Sequence, residues 1–438
     1  MRTSTTYPLP EHLGLFKKKL LQWSQQFEEV IWLDSNQYPQ RYGSYEAIMA
    51  TDAFTVLKTD AYQAFDKLNE YQQQTADWIF GYLSYDLKND VENLTSKNPD
   101  YIGFPELYFF QPKRLFLIRK DKVEVLYLNM VSDEVEADWK EILQTRTKTS
   151  AVSKTSGNSN IRIKLRMSKN AYREKVKTIL DHIHRGDIYE ANFCQEFYAE
   201  HSEIDPIQSY FYLNNISQPP FATFLKLDQL YLLSASPERY IKKSGIQVTS
   251  QPIKGTAKRS KDLEKDRRLK MSLKNDAKEQ SENIMIVDLV RNDLSKIANT
   301  GSVSVEELCG LYTFKQVHQM VSTVSAQVNA DQLPVSILRA TFPMGSMTGA
   351  PKIKAMQIIE AYEISKRGLY SGSVGYFDPK GNFDFNVVIR SILYNQKTKY
   401  ISTMVGSAIT AKSNSGKEYE ECLLKAKAMR EALEINSL

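Results

Sequence analysis

Strand patterns and helix patterns follow one another along this chain without the regular β–α–β order of a parallel sheet, and no other feature restricts the fold as much. Residues 16–30, FKKKLLQWSQQFEEV, carry apolar side chains at helical spacing, and VIWLDS then reads as a buried strand. A second helix is expected over 60–76, followed by WIFGYLSYDL and, after a polar loop, FPELYFF. In RLFLIRKDKVEVLYLN the period is near two, with Asp121-Lys122 at the turn of a hairpin. The segment SKNAYREKVKTILDHIHRGD predicts a helix with Ser168 as N-cap and Gly186 as the stop. Strands are expected in FATFLKL, LYLLSAS, GSVGYF, FNVVIRSILYN and YISTMVGSAIT, with one or two helices over 261–297, another in IKAMQIIEAYEISK and a last one from Glu418. The expected class is α+β, with mainly antiparallel sheets packed together and helices outside.

A chain of 438 residues exceeds what one hydrophobic core usually serves. Residues 145–160, TRTKTSAVSKTSGNSN, hold almost nothing that can pack. The expected division is an N-terminal region over 1–145, a linker or long surface loop over 146–160, and a second region over 161–438. The net charge of +5 is slight for this length, which argues against nucleic acid and is compatible with a small anionic substrate. Cys194, Cys309 and Cys422 are odd in number and far apart, so neither a disulfide framework nor a zinc ribbon is expected, and a reducing compartment is. The N-terminus lacks a leader pattern and no run of 18 apolar residues occurs, so the expected location is cytoplasmic, away from membranes.

Two carboxylate pairs carry the first chemical signal. Glu279 and Glu282 lie three apart on an expected helix, and Glu418 and Glu421 repeat the spacing on the last one. Either pair alone is ordinarily a solvated face. If the two helices meet, the carboxylates converge, and oxygen ligands with no Cys or His nearby point to Mg²⁺. In GSMTGAPK, small residues run into a helix start, so Ser346, Thr348, Gly349 and Ala350 are candidates to meet a carboxylate or substrate hydroxyls, or simply form a tight turn. Lys352 has neither the Gly before it nor the Ser or Thr after it that a phosphate loop needs. Arg390 sits in the apolar strand FNVVIRSILY and needs an anionic partner, either a structural ion pair or a bound carboxylate. His182 and His184, two apart on a helix, point in different directions and are read as structural.

The motifs GDIYEANFCQEF, SPERY, PIKGT, SENIMIVDLVRNDL, FPMGSMTGAPKIKAMQIIE, RGLYSGSVGYF, FNVVIRSI and EYEECLLKAKAM together resemble, in order, those of the chorismate-utilising enzymes. The resemblance covers 162–438, and WLDS, GYLSYDL and FPELYFF resemble the family's N-terminal region more weakly. Lys254 distinguishes the branches. Anthranilate and isochorismate branches usually read PIAGT or PLAGT, whereas the lysine of PIKGT resembles the aminodeoxychorismate synthase branch, in which it is a covalent nucleophile. Three departures stand out: Gln319 in the histidine slot of HLVS with His318 before it, Ala408 in GSA where GSG or GAG is usual, and Glu190 in GDIYE where the family reads GDxYQ.

What the resemblance implies is an α+β anthranilate synthase component I-like fold with its catalytic region at 161–438. It also implies an enzyme that converts chorismate and ammonia to 4-amino-4-deoxychorismate, in para-aminobenzoate and folate synthesis. Lys254 would attack C2 while Glu238 of SPERY protonates the leaving C4 hydroxyl. Mg²⁺ would be held by Glu282 and Glu421 with Glu279 and Glu418 in support. Arg390, Tyr370, Lys425, Thr256, Ser346, Thr348 and Gly349, with the backbone of Gly406, Ser407 and Ala408, would hold chorismate. Lys258 and Arg259 are expected, with the metal, to disfavour the charged form of Lys254. No glutaminase motif is evident, so ammonia is expected from a separate glutamine amidotransferase subunit. Anthranilate synthesis is the other enzymatic reading, and a catalytically silent regulatory binding protein is the alternative of a different class.

Overall fold

The computed structural model describes residues 1–38, 42–147, 161–315 and 317–434, so the linker or loop expected over 146–160 lies, from 148 onward, outside the described residues. All strand pairings among the described residues are antiparallel, and one continuous path of pairings runs through most of the strands, with the others attached as branches. The path begins at Glu190–Ala199 and passes through Tyr400–Thr410, Ser391–Asn395, Leu230–Ser236 and Phe221–Leu227. It continues through the N-terminal strands Glu29–Asp34, Ala47–Thr59, Leu107–Ile118 and Ile79–Leu83. From there it returns to Ser373–Phe377, Phe383–Val387, Arg239–Ser244, Gln247–Gln251 and Val317–Gln327. The mixed α+β class with antiparallel sheet is therefore the observed one.

Helices cover the outer faces. Lys169–His184 and Ser415–Glu434 bury Val176, Ile179, Cys422 and Met429 against Phe193 and Val405. On the other half Ala277–Ser295 and Pro334–Thr341 bury Ile286, Val287 and Leu338 against Phe385. Between them lies an aromatic-rich layer with Tyr82, Phe110, Tyr376 and Met404. The Ser168 hydroxyl accepts from the Ala171 N–H as a cap, and Gly186 ends that helix at φ +84.

Three expected elements come out differently. The helix expected over 16–30 is Leu13–Trp23, which buries Phe16, Leu20, Leu21 and Trp23 on one face; a short 3-10 turn follows, and Glu29 already begins a strand. The β-branched run that sheet pairing recruits overrides the helical period there. FNVVIRSILYN is two strands, Phe383–Val387 and Ser391–Asn395, broken at Arg390, which adopts φ +54. The last helix begins at Ser415, ahead of Glu418.

Candidate active site

The break at Arg390 has a counterpart. Leu230–Ser236 pairs with Ser391–Asn395, while Arg239–Ser244 pairs with Phe383–Val387, so two adjacent long strands change sheet halves together. Glu238 lies at one crossing and Arg390 at the other. The Val387 N–H donates to Glu238 O at 3.0 Å, and the Ala235 N–H to Arg390 O at 3.1 Å. Glu238 is 3 % exposed, and its carboxyl pKa is raised to about 7: burial pushes it up, against the Ser346 hydroxyl, the Lys254 ammonium, the Ile253 N–H and the Lys425 ammonium. The Arg390 guanidinium has no ion pair among the described residues, so the structural ion pair is not what holds it. Burial pulls its pKa below the usual value, with Tyr370 and Glu421 opposing. A cation left in this state is one that an anion would stabilise.

Lys254 owes its position to an irregularity in Ile253–Lys258. Ile253 faces Val321 and Thr256 faces Gln319 on Val317–Gln327, so Lys254 and Gly255 form a bulge. Gly255 has φ +91, and a Cβ there would lie 3.2 Å from both Glu279 Oε2 and Met320 Cβ. Gly255→Ala is expected to cost about 1–3 kcal/mol of stability, measured as a lowered denaturant midpoint, and to reduce turnover by displacing Lys254. The Lys254 ammonium donates to Glu190 Oε1 at 2.8 Å and its side chain is 12 % exposed.

The expectation that Lys258 and Arg259 discharge Lys254 is not met. Arg259 is turned to Asp266, with 2.9 Å to each carboxylate oxygen, and to Phe314 O, while Lys258 is exposed. The groups that act on Lys254 are acidic. Burial lowers its pKa, but Glu190, Glu282 and Glu238 outweigh burial and leave it raised.

The helices Ala277–Ser295 and Ser415–Glu434 bring their carboxylates to one region. Glu282 and Glu418 are 8 % and 3 % exposed, and the Lys278 ammonium lies 3.5 Å from Glu282 Oε1 and 3.8 Å from Glu418 Oε1. Glu279 is raised to about 7 by burial and by Glu282, with Lys278 opposing and Glu421 and Asp276 adding to the rise. Burial also raises Glu282, against Lys254 and Lys278. Glu421 is held below the usual carboxylate range: burial pushes it up, and Lys425, Lys254 and Lys278 outweigh that. Among the described residues no three acidic, His or Cys side chains are placed close enough to ligate an ion, and the Lys278 ammonium lies between the helices. The donor chemistry fits a hard divalent cation: all donors are oxygens, Glu282 Oε1 is buried without a hydrogen bond, and a monovalent cation already stands among them.

Lys425 ties this region to the sheet, donating to Gly406 O at 2.8 Å and pairing with Glu421 at 2.6 Å. Ser407 Oγ donates to Glu418 Oε2. Gly406 leaves no room for a side chain, since a Cβ would lie 2.5 Å from Asn192 Oδ1, and Ala408 pairs with Asn192. Tyr370 is buried next to Cys194. The small-residue loop divides: Ser346 is directed at Glu238, whereas Thr348 Oγ1 donates to Met344 O and Gly345 O, and Gly349 and Ala350 pair with Ala191 and Glu190. Thr348 is thus tied to its own turn rather than turned outward. Thr256 is exposed, and His318 is buried between Thr313 and Asp266, while Gln319 Oε1 is buried without a partner. The residues that sequence reasoning did not place at the centre are Glu190 and Lys278. Glu190 did carry a signal, as the acidic departure in GDIYE; Lys278, flanked by ordinary helix residues, carried none.

The structure thus brings a buried acid and a largely buried lysine into electrostatic contact, with a guanidinium that has no ion pair among the described residues. Residues 28–431 match the family described as chorismate binding enzyme, and the chain belongs to that family. It is 35 % identical over 354 residues to aminodeoxychorismate synthase component 1 of Klebsiella aerogenes, a match covering 81 % of this chain and 76 % of the relative. It is also 34 % identical over 361 residues to anthranilate synthase component 1 of Thermus thermophilus, covering 82 % and 77 %. The crystal structure of anthranilate synthase component I from Streptococcus pneumoniae superposes with a TM-score of 0.74 at 26 % identity, covering 90 % of this chain and 94 % of that one. No helix among the described residues is long and apolar enough to cross a membrane.

Proposed function

We propose that this chorismate-binding enzyme aminates chorismate at C4, the reaction of aminodeoxychorismate synthase component I. The observation that carries the reading is the bulge that sets Lys254 in the same buried site as Glu238, the two being electrostatically coupled. A glycine-permitted bulge that removes a lysine from the ladder and buries it among acids has no evident use in the fold alone. A nucleophile facing an acid gives it one.

The Lys254 amine attacks C2, both conjugated ring double bonds shift, and the C4–O bond breaks as Glu238 delivers its proton, releasing water. Ammonia then bonds to C4 and the C2–N bond breaks, which frees the lysine. Arg390 pairs with a substrate carboxylate, with Tyr370 and Lys425 beside it. Glu282 and Glu421, supported by Glu279 and Glu418, would hold Mg²⁺ once Lys278 withdraws. When bound, Mg²⁺ supplies positive charge for the ring carboxylate. Ammonia comes from a separate glutamine amidotransferase subunit, and the product serves para-aminobenzoate and folate synthesis in the cytoplasm.

The test is mass-resolved product analysis of the chain incubated with chorismate, Mg²⁺ and ammonium salt. The expected product is 4-amino-4-deoxychorismate; release of anthranilate and pyruvate would sink the reading and make Lys254 incidental. Arg390→Ala is expected to lower kcat/KM for chorismate by about two orders of magnitude, chiefly through KM, as loss of a charged contact of about 2–3 kcal/mol. Steady-state kinetics with saturating ammonium measures it.

A further inference from the structure

Lys278 stands in the first turn of the helix Ala277–Ser295, where the unpaired backbone N–H groups give the helix end partial positive charge and a cation is disfavoured. Its backbone is held there by the cap: the Asp276 carboxylate accepts from the Lys278 N–H at 2.9 Å and from the Glu279 N–H at 3.1 Å. Lysine ahead of glutamate four residues on, as in Lys278 and Glu282, is also the less favourable order for a helical pair. The helix itself gains little from an ammonium at this position.

What the ammonium meets spans two helices. It lies 3.5 Å from Glu282 Oε1 and 3.8 Å from Glu418 Oε1, the latter on Ser415–Glu434. Glu418 gives its other oxygen to the Ser407 hydroxyl, and Glu282 Oε1 is buried with no hydrogen bond. Glu279 and Glu421 act on the ammonium as well. Both distances exceed the roughly 2.7–2.9 Å of an ammonium–carboxylate hydrogen bond, so Lys278 supplies charge without saturating either oxygen. A hard divalent cation needs the same oxygens, at about 2.0–2.1 Å for Mg²⁺. A dication placed there and the ammonium would be like charges side by side, so they do not share the oxygens. The lysine side chain is 38 % exposed, and rotation of its flexible four-carbon stem into solvent clears the position with the capped backbone unmoved.

We propose that Lys278 is the resident counter-ion of the metal site, neutralising Glu282 and Glu418 in the free enzyme and lowering the affinity for Mg²⁺, which must expel it; this rests on the reading of these carboxylates as the Mg²⁺ site. Mg²⁺ therefore binds by breaking an existing ion contact. In a chain without that ammonium it meets the same carboxylates uncompensated.

The test is calorimetric titration of Mg²⁺ alone into the full chain, without chorismate, with melting temperatures recorded before and after the metal. Lys278→Met and Lys278→Gln, both long and uncharged, are expected to bind Mg²⁺ about tenfold or more tightly than wild type. Their melting temperatures should rise more on adding the metal than that of wild type. Lys278→Arg keeps the charge and should bind no tighter than wild type. Glu282→Gln should lose the binding heat. Folded uncharged variants with wild-type or weaker affinity overturn the proposal, as does an arginine variant that gains as much as they do. Glu282→Gln that binds as wild type does, or absence of binding in every variant, is a different failure: the carboxylates are then not the metal site, and the counter-ion falls with that reading.

Discussion

Lys254→Ala is expected to lose amination of chorismate by about three orders of magnitude or more, with binding of chorismate little changed. The loss follows from removing the atom that bonds to C2, and no neighbour can replace it. Glu190 and Glu282 are acceptors only, and the other ammonium groups in the region are engaged, Lys278 between Glu282 and Glu418 and Lys425 with Gly406 O and Glu421. The measurement is product formation by mass together with trapping of a substrate-linked peptide, which wild type should give and the variant should not. The variant should also fold, because Lys254 lies in a bulge and contributes no side chain to the core clusters. Retained turnover in a folded variant would return the protein to the anthranilate reading, in which the lysine has no chemical part.

Glu238→Gln should lose about 10²–10⁴ in kcat by removing the acid that protonates the leaving hydroxyl. The wild-type rate should fall as pH rises above about 7, where burial has placed the carboxyl pKa, and the variant should lose that basic limb. The same shift acts on stability. The folded state holds the proton more tightly than the unfolded chain does, so this contribution is fully present below the unfolded carboxylate pKa and is lost as pH rises through about 7. Without added Mg²⁺, Glu238→Gln should therefore flatten the decline in melting temperature across that window. An unchanged decline would show that Glu238 is already ionised in the folded protein.

Glu238 and Arg390, on either side of the strand crossing, differ in how legible they are in the sequence. Glu238 in SPERY, taken alone, is a turn carboxylate, and Arg390 in FNVVIRSILY is an arginine in an apolar run. Arg390 is a candidate on that ground alone, and Glu238 becomes one only through motif resemblance. What the motif does not convey is that a pair of long strands crosses between sheet halves at these residues, because that depends on which strands pair, and pairing is decided by packing over the whole chain. The carboxylate helices show the same division. Their spacing, three apart on each helix, was readable, while the Lys278 ammonium between them depends on how two segments well over a hundred residues apart come to adjoin.

By itself the sequence determined the local matters: antiparallel α+β organisation from strand runs without crossover helices, the Ser168 cap and Gly186 stop, the hairpin at Asp121-Lys122, and the motif set that marks the family. These follow from short-range periodicity and side-chain chemistry, which neighbouring residues carry. Only the tertiary structure decided which charges surround Lys254. From the sequence its companions are the adjacent Lys258 and Arg259; in the fold Arg259 turns to Asp266, and Glu190, Glu282 and Glu238 come in from a strand, a helix and a sheet crossing. Electrostatic surroundings depend on distance through space and on burial, and neither is encoded by position along the chain.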